Sequence, residues 1–209
     1  MSTIPAPESR LVQIGRRVFS VRLFIGLGVA LLSIEWLRPL PLFDRRYWGM
    51  QILALLLVAC GLGLRAWGSG SAGGHTRTAR IEAPWLITGG PFAWLRNPIY
   101  AGTIILSLGM TLLIGDPRAF LCAILVLGLL YCFIVPAEEA FLRAQFGAEY
   151  ARYCAAVPRL IPRLRPWPER REEPFDWKSA RGELMTLLWL VLIYCALQFA
   201  KHFDRLGLS

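Results

Sequence analysis

Histidine is nearly absent from this chain, and acidic residues are few. The only histidines, His75 and His202, lie far apart, so a multi-histidine metal centre is not expected and no metal ligands are assigned. Cys60, Cys122, Cys132, Cys154 and Cys195 form no CxxC pair, and four of them sit in apolar runs. They read as small buried hydrophobes rather than as a disulfide framework or a zinc site. Charge of either sign is low, at 18% of the 209 residues against 56% hydrophobic, which argues against a soluble domain. A small-residue cleavage site is also missing after the first apolar run, so that run is expected to be retained as a span rather than removed as a signal.

What the chain has instead is long apolar segments. Four runs, 47–64, 97–115, 119–137 and 184–200, are uncharged and meet the roughly 17–25 residues that a spanning helix needs. A fifth, 23–34, extends to Leu37 if Glu35 is tolerated and Arg22 snorkels to the interface. The expected fold is all-α: a polytopic membrane helix bundle of about five transmembrane helices, one domain over 1–209, with a core motif region at 84–163. Net charge of +9 raises a nucleic-acid partner, but the distribution of that charge has another cause. With the N-terminus inside, 17 of the 23 basic residues fall on the cytoplasmic side and 6 outside. Membrane lipids are therefore the expected partners and nucleic acid is not.

The hairpin formed by the third and fourth runs turns at Gly115-Asp116-Pro117-Arg118 and brings polar clusters back to one level. Antiparallel pairing about that turn matches residues whose numbers sum to roughly 234, with an error of one helical turn, about 5 Å. Arg96 and Asn97 then lie level with Glu138 and Ala137, on the arginine-rich cytoplasmic side. Beyond Pro136, the spacing of Phe141, Leu142, Phe146, Tyr150 and Tyr153 predicts a surface helix against the spans or the headgroups. Gly147 is a mild interruption, and Val157-Pro158 ends the helix.

Other patterns carry less. Gly68-Ser69-Gly70-Ser71-Ala72-Gly73 matches G-x-G-x-x-G but follows a membrane span, not a strand. A dinucleotide fold is excluded, and 68–90 reads as an irregular loop. Trp85, Phe92, Trp94 and Tyr100 crowd the start of the third run, as interface anchors or as a lining for a cation. The stretch 158–163, PRLIPR, reads as a basic segment against anionic lipid, and 166–174, PWPERREEP, as a proline-broken connection.

Two motifs flanking the hairpin carry a resemblance. Leu86-Ile87-Thr88-Gly89-Gly90-Pro91-Phe92 with Arg96-Asn97-Pro98-Ile99-Tyr100-Ala101-Gly102 resembles the isoprenylcysteine carboxyl methyltransferase family and its related phospholipid methyltransferases. Glu138-Glu139, Leu142, Phe146-Gly147, Tyr150, Tyr153 and Val157-Pro158 resemble that family's closing pattern. The resemblance implies an S-adenosylmethionine-dependent methyltransferase with its cofactor pocket at the cytoplasmic mouth of a cell membrane, acting on a lipophilic carboxylate or amine acceptor. It implies Glu138 on the methionine ammonium, and Trp85, Leu86, Ile87, Phe92, Asn97, Pro98, Ile99 and Tyr100 around the cofactor. Arg96 and Glu139 are the implied catalytic residues, with Arg96 orienting an anionic acceptor. Two positions depart from the family pattern: Asn97 stands where histidine is usual, and Ile134 where the prenylcysteine enzymes carry a substrate-contacting arginine. Asn97 hydrogen-bonds but does not titrate. Similar Arg-His-Pro and Glu-Glu cores occur in the longer NADPH-dependent sterol reductases, and a non-catalytic membrane protein is the third alternative.

Overall fold

A computed structural model describes residues 44–73 and 85–206, together with Gly28, Leu37 and 39–41. The run 23–34 expected to form a first span thus lies outside the described residues, apart from Gly28. Five α-helices follow in order: α1 (Trp48–Ala72), α2 (Pro98–Ile114), α3 (Pro117–Ala156), the short α4 (Trp177–Arg181) and α5 (Glu183–Leu206). Helices α1, α3 and α5 are long and apolar enough to cross a membrane, while α2 is a shorter apolar helix. Among the described residues this gives three full-length candidates and one short helix, against about five expected spans. The shortfall at α2 is local: Asn97 is not helical (φ −125°, ψ 59°), so the helix starts only at Pro98, and Gly115 stops it.

The outer faces of these helices are apolar. Ile52, Leu53 and Leu56 on α1, Phe120, Leu121, Leu125 and Leu129 on α3, and Leu184, Trp189 and Phe199 on α5 are all exposed. This is the arrangement a bilayer requires, because the backbone is satisfied within each helix and only side chains meet the lipid.

Helices α1 and α2 make the tightest contact. A Cβ added at Gly61 would stand 2.6 Å from the Leu106 backbone nitrogen, and one at Gly109 would stand 2.7 Å from the Ala54 carbonyl oxygen. The backbones touch because glycine leaves no side chain between them, the usual basis of close helix packing in membranes. The same device corrects the reading of 68–90 as an irregular loop. Residues 68–72 continue α1 as helix, and Gly68, Ser69, Gly70 and Ala72 are buried. Gly68 makes room for Ile99, and Gly70 for the ring of Phe175. The G-x-G-x-x-G match is therefore a packing surface on a helix end.

The hairpin turn forms as its residues dictate. Gly115 adopts the left-handed conformation (φ 72°) and donates to the Thr111 carbonyl. Asp116 accepts from the Arg118 backbone N–H at 2.9 Å and caps α3, with Pro117 at its first position. Along α3, roughly 20 residues at about 1.5 Å each carry the chain some 30 Å, one hydrocarbon thickness, from Pro117 to Glu138.

Past Pro136 the helix does continue, and Val157 (φ −115°, ψ 123°) ends it. Gly147, however, is a break rather than a mild interruption: its φ of 49° and ψ of −118° lie outside the helical region. The apolar face beyond it packs on protein. Tyr150, Tyr153 and Val157 form a buried cluster with Leu86 and Trp167, flanked by Leu142 and Phe146. The segment 166–174 is non-helical, but it also folds back over the loop before α2, with Trp167 buried and its N–H donated to the Ala93 carbonyl at 2.9 Å.

Candidate active site

The sequence explains why polar groups gather at the end of the bundle opposite the hairpin turn. Pro98 starts α2 and is fully buried, so Arg96 and Asn97 precede the helix in extended or irregular backbone whose N–H groups need other partners. The stretch after α3 supplies them. The Arg96 N–H donates to the Pro158 carbonyl at 2.8 Å, that of Asn97 to the Arg159 carbonyl at 3.1 Å, and that of Arg163 to the Trp94 carbonyl at 3.0 Å. Residues 158–167 thereby form a strap across 93–97. The Asn97 side chain joins the same contact, its amide nitrogen donating to the Arg159 carbonyl at 3.3 Å.

Two consecutive carboxylates on α3 face this region in different directions. Glu138 accepts a hydrogen bond of 2.6 Å from the Tyr100 hydroxyl, in the first turn of α2. Tyr131, two turns back on α3, sets its ring edge-on to Tyr100 at 5.0 Å and donates its hydroxyl to the Tyr100 carbonyl at 3.2 Å. Glu139 is buried and gripped by Arg159 through two hydrogen bonds, Nε at 2.9 Å to Oε1 and Nη2 at 2.5 Å to Oε2. Arg96 stands further off, its Nη1 at 3.5 Å from the same Oε1. The hydrogen bonds that Arg159 donates to Glu139, and then the charge of Glu139, raise the Arg159 pKa above the ordinary guanidinium value. Arg96 Nε and Arg163 Nη1 are buried with no hydrogen-bond partner among the described residues.

The counted register thus comes within one turn: Arg96 meets Glu139, and Tyr100 meets Glu138. The structure brings Arg96, Asn97, Tyr100, Glu138 and Glu139 to one end of the bundle. The other sequence-expected residues make different contacts. Leu86 is part of the buried cluster with Tyr150 and Trp167, and Ile99 packs against Gly68. Phe92 offers its carbonyl to the Tyr153 hydroxyl at 2.8 Å, and Trp85 is exposed. Ile87 lines a cleft of about 150 Å³ with Trp67, Ser71 and Phe175, a cleft that Arg96, Tyr100 and Glu138 do not line.

Sequence reading missed three participants. Arg159, read as a basic residue against lipid, is instead the main partner of Glu139. Tyr131, inside an apolar run, had no signal except its own polarity. The third is a buried ion pair one helix away: Arg65 Nε donates to Glu183 at 2.8 Å, and its Nη1 reaches the Thr103 hydroxyl. Ser69 and Thr186 also donate to Glu183, at 3.1 Å each, so this pair ties α1, α2 and α5 together beneath the site. Arg65 and Glu183 stand at the ends of the apolar runs 47–64 and 184–200, and that placement was the available clue.

Comparison with known proteins gives the arrangement a family context. A phospholipid methyltransferase family profile matches residues 50–149, from α1 through Gly147. The chain is 30% identical over 142 residues to a probable protein-S-isoprenylcysteine O-methyltransferase of Oryza sativa subsp. indica, covering 65% of this chain and 74% of that protein. It is 27% identical over 143 residues to protein-S-isoprenylcysteine O-methyltransferase A of Arabidopsis thaliana, covering 66% and 73%. A shorter match, 38% identical over 77 residues, links it to protein-S-isoprenylcysteine O-methyltransferase of Schizosaccharomyces pombe, covering 37% and 33%.

Proposed function

We propose a reaction for this chain on the premise that it belongs to the isoprenylcysteine carboxyl methyltransferase and phospholipid methyltransferase family of multi-pass membrane proteins. The reaction is transfer of a methyl group from S-adenosylmethionine to a lipophilic acceptor at the cytoplasmic face. The observation that carries it is the Tyr100–Glu138 pair, held beside Arg96 where α2 begins and α3 leaves the apolar region.

The donor set fits the cofactor. Glu138, oriented by the Tyr100 hydroxyl, is a carboxylate suited to an α-ammonium group. The rings of Tyr100 and Tyr131, set edge to face, offer π-faces to a cation. S-Adenosylmethionine, when bound, supplies an electrophilic methyl on a sulfonium whose charge is lost on transfer. The protein's part is to hold and to exclude. The strap 158–167 and the cluster of Leu86, Tyr150, Tyr153 and Trp167 close one side against water, and a drier site favours a step that disperses charge. Arg96 orients an anionic acceptor group, and the exposed apolar faces of α2 and α3 admit its lipid portion from the bilayer. Glu139 is engaged by Arg159 and Arg96, and positioning Arg96 is the part assigned to it here. Asn97 holds the strap carbonyl, a role that needs no titration.

Calorimetry on the detergent-purified protein, with S-adenosylmethionine, S-adenosylhomocysteine and NADPH titrated in turn, tests the class of reaction. Binding of the first two without NADPH is expected. NADPH binding without S-adenosylhomocysteine would overturn the proposal in favour of a reductase. Labelled methyl transfer into a membrane lipid extract, followed by identification of the labelled product, then names the acceptor.

A further inference from the structure

The backbone bonds of the strap define which way its apex points. The Arg96 N–H meets the Pro158 carbonyl and that of Asn97 meets the Arg159 carbonyl, so over this step the strap runs in the same direction as the loop beside it. Asn97 leads straight into α2 and the apolar layer, and the strap beyond Arg159 is headed there too. The chain bends over 159–161 and then comes back, the Arg163 N–H donating to the Trp94 carbonyl at 3.0 Å and that of Trp167 to the Ala93 carbonyl at 2.9 Å. Residues 160–162 are therefore the membrane-proximal end of the strap, at the depth where α2 begins and α3 leaves the apolar region. Their surface is not that of a soluble loop. Ile161 is 79% exposed and Leu164 95%, with Leu160 exposed beside them. One exposed leucine is ordinary, but three apolar side chains within five residues form a patch. Arg163 and Arg165 are interleaved with them, Arg165 is exposed, and no acidic residue occurs from 158 to 168.

We propose that 160–165 is an interfacial anchor: Leu160, Ile161 and Leu164 enter the boundary between headgroups and acyl chains, and Arg165 meets the phosphates of anionic lipids. The occupant of this patch is the surface of the bilayer that the helices span. Charge complementarity favours it, because the apex carries arginines with no acid among them and an anionic leaflet attracts such a segment. An arginine stem also lies along an apolar surface while its guanidinium stays in the polar layer. Pro158, Pro162 and Pro166 stiffen the apex, so little freedom is lost when it inserts. A contact of this kind reaches about 5–10 Å into the interface. Its consequence concerns the site. The strap supplies the carbonyls that accept from Arg96 and Asn97, and it grips Glu139 through Arg159. A strap seated in lipid is thus held in place from both sides. Contact with lipid, expected of 158–163 from sequence, passes from Arg159 to the residues after it. None of this depends on the reaction that the site performs.

The test places the photoreactive residue p-benzoylphenylalanine at 161, at 164 or, as a control, at 169 in the full chain, reconstituted in nanodiscs of mixed phosphatidylcholine and phosphatidylglycerol. Glu169 is exposed on the same connection, beyond the buried Trp167. Melting checks that each variant folds, and mass spectrometry reads the adducts formed on irradiation. Lipid adducts at 161 and 164 are expected at several times the yield at 169. The ratio of phosphatidylglycerol to phosphatidylcholine among the adducts at 164 is expected to exceed that of the disc by up to about fivefold, the weight of one arginine at an anionic surface. Adding Arg165→Gln returns that ratio to the disc's own. Equal lipid yields at the three positions, or adducts at 161 and 164 formed mainly with this chain or with a second copy of it, overturn the anchor. An adduct ratio equal to that of the disc, unchanged by Arg165→Gln, overturns the pairing with anionic lipid. The readout needs neither cofactor nor acceptor, so its failure is distinct from failure of the proposed methyl transfer.

Discussion

Glu138 and Glu139 are consecutive on α3, so their side chains leave the helix about 100° apart. That angle separates two environments. Glu139 turns toward the strap and the loop before α2, where it is buried and bound by Arg159 and Arg96. Glu138 turns toward α2, where a tyrosine hydroxyl orients it and a second tyrosine packs against the first. The pair is accordingly not a dyad sharing one proton. One carboxylate ties the chain segments together, and the other faces the side where two aromatic rings and the start of a helix converge. A repeated residue in sequence need not mean a repeated role.

The largest expected consequence of this division is on stability. Glu139→Ala leaves Arg96 buried and unpaired, and removing one member of a buried ion pair costs about 3–5 kcal/mol. The lower end applies because Arg159 is half exposed, and thermal melting in detergent reads the loss. Glu138→Ala, by contrast, is expected to change melting by about 1 kcal/mol, the scale of its hydrogen bond from Tyr100 at a less buried position; a loss as large as that of Glu139→Ala would erase the distinction. Tyr100→Phe sharpens the comparison from the other partner. Without its hydroxyl Glu138 loses its orientation, and S-adenosylhomocysteine affinity is expected to fall about fivefold, equivalent to roughly 1 kcal/mol. The smallest effect belongs to Asn97→Ala. Its 3.3 Å bond to the strap is long, and the backbone bonds beside it remain, so a change of about 0.5 kcal/mol in melting is expected, near the low end for a hydrogen bond.

Much of the architecture was legible because it follows from local rules. The turn at Gly115–Arg118 announces itself through a left-handed glycine, a capping aspartate and a proline. Bilayer thickness then fixes where Glu138 re-emerges. That is why counting residues put Arg96 and Glu138–Glu139 at one level to within a turn. The helical state of 68–72 was not legible, because glycine and serine favour loops unless another backbone lies against them. Here Ile99 and Phe175, distant in sequence, provide that contact. Arg159 escaped for a related reason. A basic residue after a proline on the arginine-rich side has an adequate explanation in membrane topology, and only the folded strap shows its carboxylate partner. Tyr131 and the Arg65–Glu183 pair likewise depend on helices meeting across the bundle, which periodicity does not specify.

The central claim is that Glu138, and not Glu139, is the carboxylate that meets the cofactor. Calorimetric titration of S-adenosylhomocysteine into wild type, Glu138→Ala and Glu139→Ala, each normalised to its folded fraction, tests it directly. Loss of a charge-assisted hydrogen bond worth about 1.5–3 kcal/mol is expected to weaken binding roughly ten- to a hundredfold in Glu138→Ala, with a much smaller change in Glu139→Ala. Equal and small losses in the two variants would contradict the claim and return Glu138 to a solvated carboxylate at the membrane surface.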